Sequence, residues 1–485
     1  MLTMRLIGHL GRPRAALFIA AALAVVSGAS ANAQDRTVNS AATAPADVSA
    51  ASDAVSRVRI GDRLHELIAE APRLAARGST GEGASPEAVS TLSSLIDEAL
   101  KNSPELRGAA KETEAADQRV RPAGALEDPM LEAGLLNVPI QPFSLNREDM
   151  TMKMLGLSQK LPYPGKRALR EQVAAKEAET LGYGLRETTN RVVRDVKLAY
   201  FDLALTDETV RLLKDNRQIL EQFLRIAEGR YAVGQAAQAD VLRAQTQLGR
   251  MTEELLRMER ERPVMEAELV RLLGRRDNAA PIAAELPGIG DAAFSLEALQ
   301  QAALRERPQL LGLQAAIDRS AKTLELARKE TQPDFDLRFS YGQRDRDLAG
   351  MPREDLVSFT VAMNLPVWRK DKIEPRIAEA QALREQTLEM QQAQQNEVLA
   401  KLRQQVAIAE QSRKSVRLYE TGILPQARLA VEATLASYNV SRVDSLMLLD
   451  SQMTVFGYEI SRARELVNFN KALAEIELLT GKQMF

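Results

Sequence analysis

Carboxylates are the reactive groups this chain carries in quantity, and two stand out by position. Asp240 and Asp444 each follow a turn-like stretch headed by a tyrosine, Tyr231 and Tyr438, and they lie 204 residues apart. An aspartate at such a place caps the helix that follows or presents its charge to solvent. Met150, Met152 and Met154 have strand spacing. Their thioethers suit soft ions such as Cu(I), although filling irregular space is the commoner use of methionine. Pro164-Gly165-Lys166-Arg167 has the look of a phosphate loop. That signature needs a glycine where Lys160 stands and Ser or Thr where Arg167 stands, so the segment reads as a strand-to-helix turn. The chain has no cysteine, and its two histidines are His9 and His65. Thiolate nucleophiles, Cys-based metal centres, disulfides and His dyads are thereby excluded or nearly so. No nucleophile-and-base pair stands out, so neither an enzyme nor a cofactor site is expected.

Lys and Arg number 64 against 66 Asp and Glu. That balance leaves no strongly basic face and argues against nucleic acid as a partner. With 27% charged residues and a mean hydropathy of −0.24, the chain does not read as a polytopic helical membrane protein. Its first residues carry an address. Arg5, Arg12 and Arg14 precede the apolar run Ala15–Val26, and Ala31-Asn32-Ala33 follows. This is the pattern of a cleaved signal peptide over 1–33, with an apolar run too short to span a bilayer. Residues 34–90 read as a partly disordered extension. No cysteine is available for an acyl anchor.

The elements that must position these residues come in two copies. Leu92–Gly108 and Leu296–Gly312 match at seven of seventeen positions. The same offset of 204 pairs Leu161-Pro162 with Leu365-Pro366, Lys166 with Lys370, and Asp240 with Asp444. The chain is a tandem repeat, 91–290 and 291–485, and each copy should have one architecture. The first reads as a helix, a hairpin 128–161, a long helix 165–228 and a helix 238–273. The second reads as a helix, a hairpin 334–365, a long helix 372–438 with a bend at Gly422 and Pro425, and a helix 441–479. Val192, Val196, Ala199, Leu203, Thr206, Val210, Leu213, Arg217, Leu220, Leu224 and Ala227 keep a 4-3 spacing. That seam demands a partner helix along its length, as in a coiled coil.

The hairpins alternate with period two. Phe335, Leu337, Phe339 and Tyr341 form one apolar row, and Val357, Phe359, Val361, Met363 and Leu365 another. Both rows are expected to face lipid, with Tyr163 and Trp368 as an interface girdle. The three methionines then look the other way, into a lumen. An open sheet edge cannot stand in lipid, so four strands per chain require further copies to close a barrel.

At this point the sequence resembles the TolC-like outer-membrane efflux family over about residues 91–485. The resemblance is carried by Ala99–Leu106, Ser158–Arg167, Tyr231–Leu242, Tyr438–Leu446 and Leu478–Gly481, together with one hairpin in each repeat. It implies a mainly α protomer with a small membrane β part. Three such protomers would make a homotrimer with a twelve-stranded outer-membrane β-barrel on a periplasmic α-helical barrel. It implies an exit duct rather than an enzyme, working with a periplasmic adaptor and an inner-membrane pump of RND type. Its periplasmic gate or docking tips map onto Tyr231, Val233, Gly234, Asp240, Val241 and Leu242, and onto Tyr438, Arg442, Asp444 and Leu446. The second tip is about three residues shorter and lacks the glycine. Ser158–Arg167 is similar to the heavy-metal efflux branch, which implies metal cations as substrate. Alternatives are a duct for type I protein secretion or organic compounds, and a soluble periplasmic coiled-coil adaptor or scaffold.

Overall fold

A computed structural model of the chain describes residues 91–275, 281–290, 295–440 and 442–482. The expected signal peptide and the 34–90 extension lie outside the described residues, as do His9, His65 and Ser441.

The duplication is written into the element order. The first copy contains α1 (Leu92–Asn102), α2 (Pro104–Gly124), β1 (Met130–Leu136), β2 (Met152–Leu161), α3 (Lys166–Ala232) and α4 (Gln238–Leu272). The second contains α5 (Leu296–Glu306), α6 (Pro308–Lys329), β3 (Phe335–Gln343) and β4 (Leu356–Met363). It continues with a π turn (Arg369–Ile373), α7 (Glu374–Leu418), a second π turn (Tyr419–Ile423), α8 (Leu424–Asn439) and α9 (Ser445–Thr480). Both α2 and α6 open on a proline, whose missing N–H costs nothing at a first helical position.

α3 has 67 residues, a rod of about 100 Å at 1.5 Å per residue. Its 4-3 seam explains the length. Val196, Leu203, Leu213 and Leu220 are fully buried, and the helix packs against α2, α4, α6 and α9. Helices of this length are held by such tertiary contacts rather than by propensity. Three apolar clusters follow the rods. One gathers Leu95, Val196, Leu203, Leu269 and Ile282. A second gathers Leu213, Leu220, Met251, Leu448 and Phe456. The third gathers Val398, Leu402, Phe469 and Ile476.

Several boundaries differ from the sequence reading, each for a local reason. α3 continues past residue 228 to Ala232, and Gly234 with φ 73° then turns the chain as only glycine does freely. The final helix starts at Ser445 rather than 441, because Asp444 is its N-cap and accepts from the Met447 N–H at 3.1 Å. The bend expected at Gly422 and Pro425 is a π turn. Its extra residue makes room for the Pro425 ring and absorbs the hydrogen bond that proline cannot donate. β4 ends at Met363, short of residue 365, and Pro366 soon follows. Met150 stands in the turn before β2, so it does not belong to the strand row.

The four strands form one antiparallel sheet in the order β1-β2-β3-β4. Leu155 faces Tyr341 and Leu157 faces Phe339. Phe339 in turn faces Phe359, Tyr341 faces Val357, and Leu337 faces Val361. These pairs put the apolar side chains on one face. Phe359 is 68% exposed and Val357 64%, far more apolar area than an isolated sheet would leave in water. The opposite face carries Glu132, Ser158, Arg338, Ser340 and Thr360. Met152 lies on that face and fills the space above Gly342, where a Cβ would overlap its thioether. It is buried packing between strands and not an open ligand. Both outer strands, β1 and β4, have one edge without a partner strand in the sheet.

The turn at Pro164-Gly165 links strand to helix without any phosphate cradle. Gly165 has φ 89°, and a Cβ there would run into the Lys329 ammonium. Lys166 is buried and donates to the Asp334 carboxylate and the Gln332 carbonyl, at 2.8 and 2.9 Å. The Tyr163 N–H donates to the same Asp334 oxygen, so this lysine and aspartate tie α3 to the start of β3.

Candidate functional site

The α3–α4 turn and the α8–α9 turn lie side by side. Leu213, Leu220 and Phe223 of α3, Met251 and Leu255 of α4, and Leu448, Leu449 and Phe456 of α9 form one apolar cluster behind them. Within this cluster Gln452 donates to the Asn216 carbonyl oxygen at 2.8 Å, both side chains being buried. An amide pair in an apolar seam fixes the register of the two hairpins, because any slip would leave both amides unpaired.

Two links join the tips beyond the cluster. Arg230, in the last turn of α3, lies over the ring of Tyr438, 4.5 Å from its centroid, and donates to the Tyr438 carbonyl. Tyr438 is buried, and burial pushes its hydroxyl above the usual phenol range. Arg230 opposes that rise and Asp240 adds to it. The second link runs from Ser445 to Asp240, whose hydroxyl and carboxylate oxygens are 2.6 Å apart. The other Asp240 oxygen accepts from the Ala237 N–H at 3.3 Å.

Asp240 therefore departs from the sequence reading in its position. It is the third residue of α4, not the cap, and its side chain is only 15% exposed. Its carboxylate is turned inward to hold the neighbouring helix. Asp444, by contrast, caps α9 and is exposed. Of the two carboxylates that repeat at offset 204, one joins the tips and one reaches solvent.

Tyr231, Val233, Leu242 and Leu446 protrude, with exposures of 48, 68, 54 and 53%. Val241 is half-buried. Leu242 and Leu446 face one another across a groove of about 380 Å³ between α4 and α9, whose walls include Arg243, Arg250, Leu449 and Asp450. The Arg442 N–H donates to the Ser437 carbonyl at 2.9 Å, while its exposed side chain enters no ion pair among the described residues. Sequence reasoning missed Arg230 and Ser445. A cation in the last helical turn, one residue before a tip tyrosine, and a hydroxyl beside a capping aspartate were the available signals.

No helix among the described residues is long and apolar enough to cross a membrane. The same residues contain no group of three or more His, Cys, Asp or Glu side chains able to hold a metal ion. What the protomer offers instead is an open-edged amphipathic sheet at the head of paired rods with two linked tips.

A family model described as outer membrane efflux protein matches residues 95–275 and 299–482. The two segments begin 204 residues apart, the offset of the internal repeat, so each copy fits the family separately. The chain belongs to the outer membrane efflux protein family. Among curated proteins it is similar to the cobalt-zinc-cadmium resistance protein CzcC of Cupriavidus metallidurans. The two are 22% identical over 396 residues, which span 81% of this chain and 90% of that one. Among solved structures it is similar to CusC, whose report concerns folding and transmembrane channel formation. The TM-score is 0.70 at 14% identity, with 84% of this chain and 96% of that one covered. It is also similar to the open state of the Neisseria gonorrhoeae outer membrane channel MtrE. There the TM-score is 0.68 at 17% identity, covering 81% and 89% of the two chains. The fold is that of these channels, mainly helical with four antiparallel strands. This outer membrane efflux protein is an exit duct, and the alternative of a soluble adaptor or scaffold is set aside by the family match.

Proposed function

We propose that three copies of this efflux protein join β4 of one to β1 of the next and close a twelve-stranded barrel in the outer membrane. The observation that carries this reading is a four-stranded sheet with two free edges and one exposed apolar face. In lipid both edges must be paired, and a larger barrel leaves a lumen where an eight-stranded one is filled. Phe335, Leu337, Phe339, Tyr341, Val357, Phe359, Val361, Met363 and Leu365 then face lipid, and Tyr163 and Trp368 mark its periplasmic border. The long helices continue the lumen as a periplasmic tunnel. The signal peptide 1–33 delivers the chain for export.

The linked tips are the periplasmic gate and the docking surface for an adaptor, through which an inner-membrane pump of RND type delivers substrate. Opening requires the Arg230–Tyr438 and Asp240–Ser445 links to part or move together. Substrate is passed and not held, so selectivity rests on fixed charge along the path, such as a ring of three Asp444 carboxylates. Heavy-metal cations are the substrate favoured here, because the curated relative CzcC is named for cobalt, zinc and cadmium resistance.

The test has two arms. A heat-modifiable trimer extracted from outer membranes supports the duct, and a freely soluble periplasmic monomer overturns it. Deleting the gene should lower tolerance to zinc, cobalt or cadmium, and unchanged tolerance to all three removes the metal assignment.

A further inference from the structure

A second feature of the molecule lies far from the tips, where strands give way to helices. A cleft of about 340 Å³ opens there between the starts of α3 and α7 and the end of α6. Its charged walls are Lys166, Arg170, Glu330, Asp334, Lys372 and Arg376. Two of the four cations are matched. Lys166 pairs with Asp334 at 2.8 Å and Arg376 with Glu330 at 3.0 Å. Arg170 and Lys372 form no ion pair among the described residues, although Arg170 helps to hold the Asp334 carboxyl below its usual range. Four cations against two carboxylates leave the cleft with two positive charges in excess.

The same cleft has an apolar rim. Leu365, Val367 and Trp368 line it and are 65, 71 and 71% exposed. A tryptophan held this far out of the protein is costly in water and favourable at a membrane–water border. Excess positive charge beside exposed apolar side chains matches a molecule with an anionic head and an apolar tail. A soluble anion would account for the cations and make no use of the apolar rim beside them.

We propose that this cleft seats the phosphate headgroup of an anionic glycerophospholipid from the periplasmic leaflet. The phosphate is drawn to Arg170 and Lys372, and the acyl chains run along Leu365, Val367 and Trp368. The inference rests on the outer-membrane reading above, and it adds a lipid-specific anchor at the border between barrel and tunnel. Cations near a membrane surface contribute about 1 kcal/mol each, so the pair together should carry roughly thirtyfold in affinity for an anionic over a zwitterionic lipid.

Trp368 is the chain's only tryptophan, which makes its fluorescence a local probe. The full-length trimer in uncharged detergent is titrated with brominated phosphatidylglycerol or brominated phosphatidylcholine. Phosphatidylglycerol should quench Trp368 at a mole fraction at least tenfold lower, and Arg170→Gln with Lys372→Gln should bring the two lipids to parity. The heat-modifiable trimer band reports folding of the variant. If the double variant does not assemble, Lys372→Gln alone, at an exposed position, should lose part of the preference. Equal quenching by both lipids in the parent protein overturns the inference, as does a preference that either variant leaves undiminished. If neither lipid quenches Trp368 and millimolar inorganic phosphate alone changes its fluorescence, the inference is overturned and a soluble-anion site remains. Loss of the outer-membrane trimer would sink the duct reading itself, whereas an outer-membrane trimer without lipid preference sinks only this inference.

Discussion

Arg230 lies with its guanidinium 4.5 Å from the centroid of the Tyr438 ring and donates to the carbonyl of the same residue, clasping the α8 terminus from α3. A partly desolvated cation–π contact contributes about 1 kcal/mol, and a charge-assisted hydrogen bond somewhat more. The Tyr438 hydroxyl has no hydrogen-bond partner among the described residues. Arg230→Met should therefore raise the open probability of single channels in planar bilayers by about tenfold or more. Tyr438→Phe, which keeps the ring and the carbonyl, should leave gating unchanged. Equal effects of the two substitutions would show that the clasp does not hold the tip.

Asp444 both caps α9 and carries an exposed charge, and the two roles separate by substitution. Asp444→Ser keeps a capping oxygen and removes the charge, so thermal stability should hold while cation-over-anion permeability falls. Asp444→Ala should show the same change in permeability and lose about 1 kcal/mol of stability besides. Reversal potentials under a salt gradient read the first effect and melting curves the second. A reversal potential unmoved by either substitution contradicts the entrance ring.

Asp240 acts differently, since its carboxylate accepts from Ser445 across the tips. Ser445→Ala removes that donor and should cost about 1 kcal/mol at the tip without altering ion selectivity. With no cysteine in the chain, a Cys pair introduced across the two turns measures the opening directly by its oxidation rate. Faster opening with an unchanged reversal potential is the expected outcome, and a selectivity change would return Asp240 to the lumen.

The long-range order of this fold is legible because it repeats. The 204-residue offset and the 4-3 seam from Val192 to Ala227 depend on local spacing, and spacing survives in sequence. The tip contacts do not. Asp240 and Ser445 are 205 residues apart, and nothing in either segment says which carboxylate will turn inward. Periodicity likewise could not tell a proline bend from the π turn at Tyr419–Ile423, since both interrupt one helix for the same missing N–H. Met150 shares strand spacing with Met152, but the strand begins only at Met152, where the pairing with β1 starts.

Glu98 of α1 and Arg275, just beyond α4, form a bidentate pair with both hydrogen bonds at 2.6 Å. The Arg275 guanidinium holds the Glu98 carboxyl below the usual carboxylate range, with burial acting the other way. A carboxyl whose value is lower in the folded state contributes stability that is present above its unfolded value and lost as pH falls through the folded one. The melting temperature should thus drop more steeply on acidification for the parent protein than for Glu98→Gln. The two should converge once the pH lies below the lowered value. Parallel pH profiles would show that the pair is not coupled to folding.

Lys197 of α3 and Glu477 of α9 form an ion pair with each side chain only 6% exposed. The pair lies between the two helices that carry the halves of the repeat. Removing one member takes from a buried charge its counter-ion in this pair, at a cost of up to about 3–5 kcal/mol, whereas replacing both by apolar residues of similar volume is often neutral. Lys197→Met should therefore lower the melting temperature of the detergent-solubilised protein sharply. Lys197→Met combined with Glu477→Leu should recover most of that loss. The double variant also tests what the charges do beyond stability. If the pair fixes how α9 sits along α3, the recovered protein should show altered gating despite its restored melting temperature. A double variant that melts and gates like the parent would leave the pair without a role in register.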